Sequence, residues 1–236
     1  CIGYSAPVTT IPSHQWKHIQ QRLVHVILNK LHVSTSSPSA IIHAPISSGG
    51  LEIPDGYSEQ GAQHVLSIIK HIRTETIVGN YLITLLQWAH LNSGYIDPPL
   101  STNALPMPHV FAPWVATTQT YLTETSCALS ITTLKAHPLP RTHDRSIMEI
   151  ALAHHGPAAT TTLQRINACR LFLRVIFLSD ISSGDGGTLQ QSLFSTDLPS
   201  VASTSNLHWP YQPNPGPASW RQFEKLLRTL CYPGTH

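Results

Sequence analysis

The sequence predicts a mainly α fold: an irregular helical domain with Pro/Ser/Gly-rich connections. Two stretches, 13–31 and 218–230, repeat apolar residues at the helical period. Strand-type alternation is sparse, and Pro, Ser and Gly gather between the apolar runs rather than inside them.

In the first helix Ser13 follows Pro12 as a candidate N-cap. Trp16, Ile19, Leu23, Val26 and Ile27 share one arc, widened by Val24, Leu28 and Leu31. Lys17, His18, Gln21, Arg22 and His25 fill the other side. An arc this broad predicts packing against more than one neighbour. The Pro/Ser-rich stretch 34–56 reads as a connection and suggests two parts: 1–56, a helix and its connection, and 57–236, a helical C-terminal region, the two being open to union in one continuous domain.

A helix at 58–73 places Ala62, Val65, Leu66, Ile69 and Ile72 on one face. Another at 78–92 is built on Leu82, Leu85, Leu86 and Ala89, with Gly94 as its stop. The proline-rich stretch 95–113 is an irregular connection. Helices follow at 114–125 and 144–155, and then a nearly all-apolar, central one at 161–178, whose polar stripe is Asn167, Arg170 and Arg174. After a turn at 182–187 and a Ser/Pro-rich stretch at 195–217 comes the final helix. There Trp220, Phe223, Leu226, Leu227 and Leu230 oppose Arg221, Glu224, Lys225 and Arg228.

Only 11% of the 236 residues are charged, against roughly 25% in ordinary domains, so Ser, Thr, Asn, Gln and fifteen His must supply the polar surface. A surface of that kind suits contact with a partner or with the rest of a larger protein, and the opening at Cys1, in mid-pattern, suggests a piece of one. A net charge of +2 makes no overall electrostatic case for nucleic acid. Cysteines 1, 127, 169 and 231 form no C-x-x-C pair, which points away from a zinc site and towards reduced thiols in an intracellular setting, the nucleus included. The longest apolar run, Leu171–Leu178, is broken by Arg174 and too short to span a membrane.

Catalytic and metal motifs are missing. No G-x-S-x-G elbow, Walker loop or dinucleotide fingerprint occurs. Asp180–Gly186 opens like a calcium loop but has Asp185 where Gly belongs and Gln191 where the bidentate Glu belongs. His14 and His18 sit at i, i+4 without the Glu of a metalloprotease helix, so no cofactor or metal is expected. Arg170 and Arg174 leave two readings. Either they pair with Asp180, Glu149 or backbone carbonyls, or they grip phosphate or another part of a larger protein, since an unpaired buried charge is very costly.

Several blocks, in order along nearly the whole chain, resemble the post-palm (thumb and downstream) region of reverse transcriptases of non-LTR retrotransposons. They begin with Leu28-Asn29-Lys30-Leu31, Pro38-Ser39-Ala40, Gly49-Gly50-Leu51, Tyr57-Ser58-Glu59-Gln60-Gly61 and Lys70-His71-Ile72-Arg73. Trp88, Leu105-Pro106, Pro108-His109, Arg165–Leu171, Ser179-Asp180-Ile181, Trp209–Pro213 and Trp220 complete the set. Two positions depart: the family reads Gly-Gly-Leu-Gly where Glu52 stands here, and Val110-Phe111-Ala112 lacks the usual acid. The resemblance implies a thumb-like part at 1–56 that packs on an RNA/DNA template–primer duplex, with the remainder of the polymerase as its other partner. Lys17, Arg22, Lys70, Arg73, Arg170 and Arg174 would be the nucleic-acid contacts. Polymerase chemistry needs clustered carboxylates for two metal ions, and no two acids are adjacent here, so catalysis is not expected of this chain by itself. The alternative reading is a structural or protein-interaction helical module, or an inert retroelement remnant.

Overall fold

A computed structural model describes residues 5–183, 188 and 209–231, without the side chain of Cys231. The fold is mainly α: α1 Ser13–Lys30, α2 Ser39–His43, α3 Gly56–Arg73, α4 Ile77–Ser93, α5 Pro113–Glu124, α6 Ile147–His155, α7 Thr160–Leu173 and α8 Pro217–Cys231. Strand-like pairing among the described residues includes the isolated bridge between Ser146 and Phe177. Most of the 182–187 turn and residues 195–208 of the Ser/Pro-rich stretch lie outside the described residues. No described helix is long and apolar enough to cross a membrane.

The chain forms two compact units, 1–82 with 113–128, and 83–112 with 129–236. This division is not the one composition suggested at 56/57. Residues 34–56 fold as part of the first unit rather than as a tether: Leu28, Ile42 and Ile53 make one apolar cluster with Val24, Ile27, Val33 and Leu51 around it. The amides of Leu51, Glu52 and Ile53 donate to Ile41 O, Ala44 O and Ile42 O at 2.9–3.0 Å, covering carbonyls at the end of the short α2.

That turn sets strict backbone demands. Gly49 has φ +79°, and a Cβ on Gly50 would sit 2.0 Å from Ala44 O. Glu52 itself stands at φ +50°, the left-handed region where a side chain costs about 1 kcal/mol and glycine costs least.

Within the first unit α3 buries a face rather more than a third of a turn from the one its apolar pattern predicts, leaving Ala62, Val65 and Ile72 half-buried. Gly56, Gln60, Gly61, His64 and Ile68 are buried, while Leu66 is 54% and Ile69 39% exposed. Polar geometry outweighs period here. Gln60 Oε1 accepts from Ile11 N, Trp16 Nε1 and Thr9 Oγ1, and its Nε2 donates to Ile11 O at 3.0 Å. His64 bridges Thr9 O at 2.8 Å and Thr118 Oγ1 at 2.9 Å. A side-chain amide can answer both halves of a peptide group, and α3 pins the segment 9–11 this way. Gly61 lets α5 come close, since a Cβ there would lie 2.2 Å from the Tyr121 ring.

α1 starts as expected, although Pro12 rather than Ser13 occupies the cap position and no side-chain cap bond forms. Its arc is divided: Trp16 and Leu28 are buried, whereas Ile19, Leu23 and Val26 remain 45%, 41% and 52% exposed.

The second unit centres on α7, which packs against α6 and α8. α7 buries Leu163, Ile166, Cys169, Leu171 and Leu173, as its apolar circumference predicts. It ends at Leu173 rather than 178, because Arg174 turns into the left-handed region at φ 58°. α8 docks Phe223, Leu226 and Leu227, all fully buried, and Trp220 meets Phe172 and Phe223 edge-on at about 6 Å. Cys169 is buried and Cys127 is exposed, both as free thiols.

Replacing Glu52 by Gly should stabilise the first unit by about 0.5–1 kcal/mol, whereas Glu52→Ala should not. Urea midpoints of the two variants would check this, a gain with Ala alone contradicting it.

Candidate functional site

The six cations singled out from the sequence divide four to one unit and two to the other. In the first unit Lys17 and Arg22 are exposed on α1, and Lys70 and Arg73 are exposed in the last turn of α3. Among the described residues none of them makes an ion pair, the one found being Arg228–Glu224 at 2.6 Å. Lys17 and Arg22 are five residues apart, hence about 140° around the helix, so they do not share a face as expected. Lys70 and Arg73, at i, i+3, lie side by side and also suit the partial negative charge at a helix C-terminus.

Lys17 borders a cleft of about 430 Å³ lined by Trp16, Gln20, Val24, Ile42 and His43 among others. Two of its polar side chains, His43 and Gln20, are already engaged. His43 Nδ1 lies 2.6 Å from Ile53 O, and Gln20 bonds Gly56 N at 2.8 Å and Pro54 O at 3.3 Å. Lys17 is therefore a charge at the rim of an apolar hollow, free to reach outward.

In the second unit Arg170 and Arg174 part company. Arg174 is exposed past the end of α7, so the stripe expected from i, i+3, i+7 spacing does not continue to it. Arg170 is fully buried and has to be withdrawn from the nucleic-acid set. Its Nη2 donates to Leu91 O (2.7 Å) and Asn92 O (3.0 Å), Nη1 to Val175 O (3.2 Å) and Nε to Asn167 Oδ1 (2.9 Å). Its guanidinium carbon lies 5.8 Å from the centre of the Trp209 ring, within cation–π range. Neither expected acid pairs with it: Asp180 accepts from Ile176 N and Phe177 N, and Glu149 from Ile96 N. Of the two readings, backbone carbonyls hold Arg170. Burial lowers its pKa to about 9, which leaves it charged at neutral pH.

His109 and His137 lie close enough to this cation to feel its charge, and His90 stacks on His137; sequence reasoning gave none of the three a role. His109 Nε2 donates to Ser93 O at 3.0 Å, while its Nδ1 is buried without a partner. His90 and His137 stack at 4.0 Å, and His137 Nε2 is likewise buried and unpartnered. Burial, then repulsion from Arg170, lowers His109 to about 4, despite its bond to Ser93 O. Burial, then His90 and Arg170, lowers His137 to about 3. Burial also lowers His90, against its bonds to Ile96 O and Tyr95 O. These side chains arrange a neutral interior, hydrogen-bonded through His90 and the Nε2 of His109, and they present no proton donor or nucleophile at a surface. Among the described residues no three His, Cys, Asp or Glu side chains gather where a metal ion could be held. Their sequence signal was slight, since an isolated His or Gln carries no period.

Compared with protein-family models, curated proteins and solved structures, the chain matches none.

Two outcomes follow from the second unit. Arg170→Gln should destabilise by about 3–5 kcal/mol, because carbonyls already desolvated lose their donors, whereas Arg174→Gln should change stability by less than about 0.5 kcal/mol; urea unfolding of both checks this. Acid should also weaken the unit. An imidazole whose pKa is lower in the fold than in the unfolded chain stabilises fully above about pH 6.5 and loses that contribution as pH falls towards 4 and 3. At pH 5 this is roughly 1–2 kcal/mol per imidazole, offset in part by Glu149, whose pKa burial raises. His137→Gln should flatten the decline in urea midpoint between pH 7 and 5, and an unchanged slope would contradict the assignment.

Proposed function

We propose that the chain is a non-catalytic C-terminal region of a non-LTR retrotransposon-type reverse transcriptase that supports binding of the primer–template duplex. The observation that carries this reading is the backbone at 49–52. The family block Gly-Gly-Leu-Gly, which this chain resembles, has glycine at the three positions where side chains are least welcome here: φ is +79° at Gly49, a Cβ at Gly50 would strike Ala44 O, and φ is +50° at Glu52. Glu52 is then a departure in residue but not in backbone. Period and propensity do not demand such a turn, so the backbone gives a physical reason for one of the blocks that carry the resemblance.

The contacts belong to the exposed, unpaired cations: Lys17, Arg22, Lys70 and Arg73 in one unit and Arg174 in the other. So few charges favour weak, sequence-independent attachment to phosphates. Primer extension would be the work of a palm elsewhere in the polymerase. A protein-interaction module is the second reading, favoured by the exposed apolar residues on α1 and α3.

A salt titration of duplex and RNA/DNA-hybrid binding tests the first reading. Affinity should fall with a logarithmic slope of about 0.9 per phosphate neutralised, and Lys17→Gln with Arg22→Gln should lower that slope by about two. Circular dichroism verifies that α1 persists. Absence of binding at low salt, or an unaltered slope in the double variant, would remove nucleic acid from this surface.

A further inference from the structure

We propose that the row Ile19, Leu23 and Val26 on α1 is a docking seam for a partner protein's amphipathic helix that carries carboxylates beside its apolar residues. The three side chains follow at i, i+4 and i+7, the spacing of a helix-packing ridge, and each is between 41% and 52% exposed. They are not the side that α1 uses to hold its own unit together. That work falls to Trp16 and Ile27, which adjoin the row, and to Val24 and Leu28, which lie roughly a third to a half of a turn from it around the helix. An apolar ridge beside an already satisfied one has no further task inside the unit.

Charge selects the occupant. Arg22 borders the row on one side, Lys30 continues it at the C-terminal end, and α1 contains no Asp or Glu. A second copy of the chain, laid along the same ridge in either direction, would offer Arg22 and Lys30 no acid on the helix to pair them. Phosphate backbones would gain from the two cations but nothing from three branched aliphatic side chains. A lipid surface calls for a wide apolar face, commonly with aromatic residues, and here Trp16 is buried inside the unit. An acidic amphipathic helix satisfies both parts of the surface, its apolar residues on the ridge and its carboxylates opposite Arg22 and Lys30. α3 repeats the chemistry with Leu66 and Ile69 exposed ahead of Lys70 and Arg73. This inference does not rest on the polymerase reading, with which the α1 seam shares Arg22 alone.

The test uses the full chain and two blocked, fluorescein-labelled peptides of about five helical turns. Both carry Leu at i, i+4, i+7 and i+11; one flanks them with Glu, the other with Lys. At near-physiological salt, anisotropy should show the Glu peptide binding at least about tenfold more tightly than the Lys peptide. Leu23→Glu should weaken the Glu peptide by about tenfold or more with unchanged circular dichroism, since Leu23 is outside the core. Arg22→Glu with Lys30→Glu should exchange the preference between peptides, which a merely sticky surface would not do. Equal affinity for the two peptides, or indifference to Leu23→Glu, overturns the proposal. So does a dimer in sedimentation that Leu23→Glu dissolves, or binding to phosphatidylserine vesicles without binding to the Glu peptide.

Discussion

A guanidinium shut away from water, with no carboxylate within ion-pair distance among the described residues, requires neutral acceptors around it, and Arg170 obtains two of its four from the end of α4 and the others from Val175 O and Asn167 Oδ1. The last four carbonyls of that helix have no helical partner of their own. Here each is answered: His90 O by Gly94 N and Ser93 Oγ, Leu91 O and Asn92 O by Arg170, and Ser93 O by His109. The negative end of one helix thus replaces the missing carboxylate, and the cation replaces a helix cap. Gly94, at φ +69°, permits the approach, because a Cβ there would lie 2.7 Å from the guanidinium. Ser146, which caps α6, then donates to Gly94 O, so the same spot ties three helices. The neutrality of His109 and His137 belongs to the same account: a further positive charge beside Arg170 would have nothing to offset it.

Helices were legible wherever the apolar period was long. α1, α4, α7 and α8 formed within a few residues of expectation, and Leu86 and Ala89 are buried on the α4 face foreseen for them. Facing was less legible. On α3 the apolar period pointed to Leu66 and Ile69, but burial went to Gln60 and His64, whose value depends on which loop brings Thr9, Ile11 and Thr118 within reach. Such partners are 49 to 55 residues away, and no local pattern encodes them.

The candidate site shows the same limit at closer range, for Lys17 as for Arg174. Arg170 and Arg174, four residues apart on one expected stripe, looked equivalent. The helix ends between them, placing one in the interior and the other in water. Arg22 lies off the packed side of α1 as expected, but Lys17 projects between Val24 and Leu28 on the packed side, at the rim of the cleft, so the two are separate contacts rather than one patch. The resemblance added what period cannot provide, a glycine block whose turn geometry has a physical reason.

The contrast between Cys127 and Cys169 has a practical consequence. Cys127 is open to solvent at the edge of the first unit, while Cys169 is buried at the heart of the second, with burial pushing its thiol up to about 12. Thiolates react and thiols do not, so an alkylating reagent meets the first site directly but the second only when α7 parts from its neighbours. With Cys1 and Cys231 replaced by serine, the slow phase of alkylation would time the opening of the second unit without any attached probe, a clock built from one buried sulfur atom.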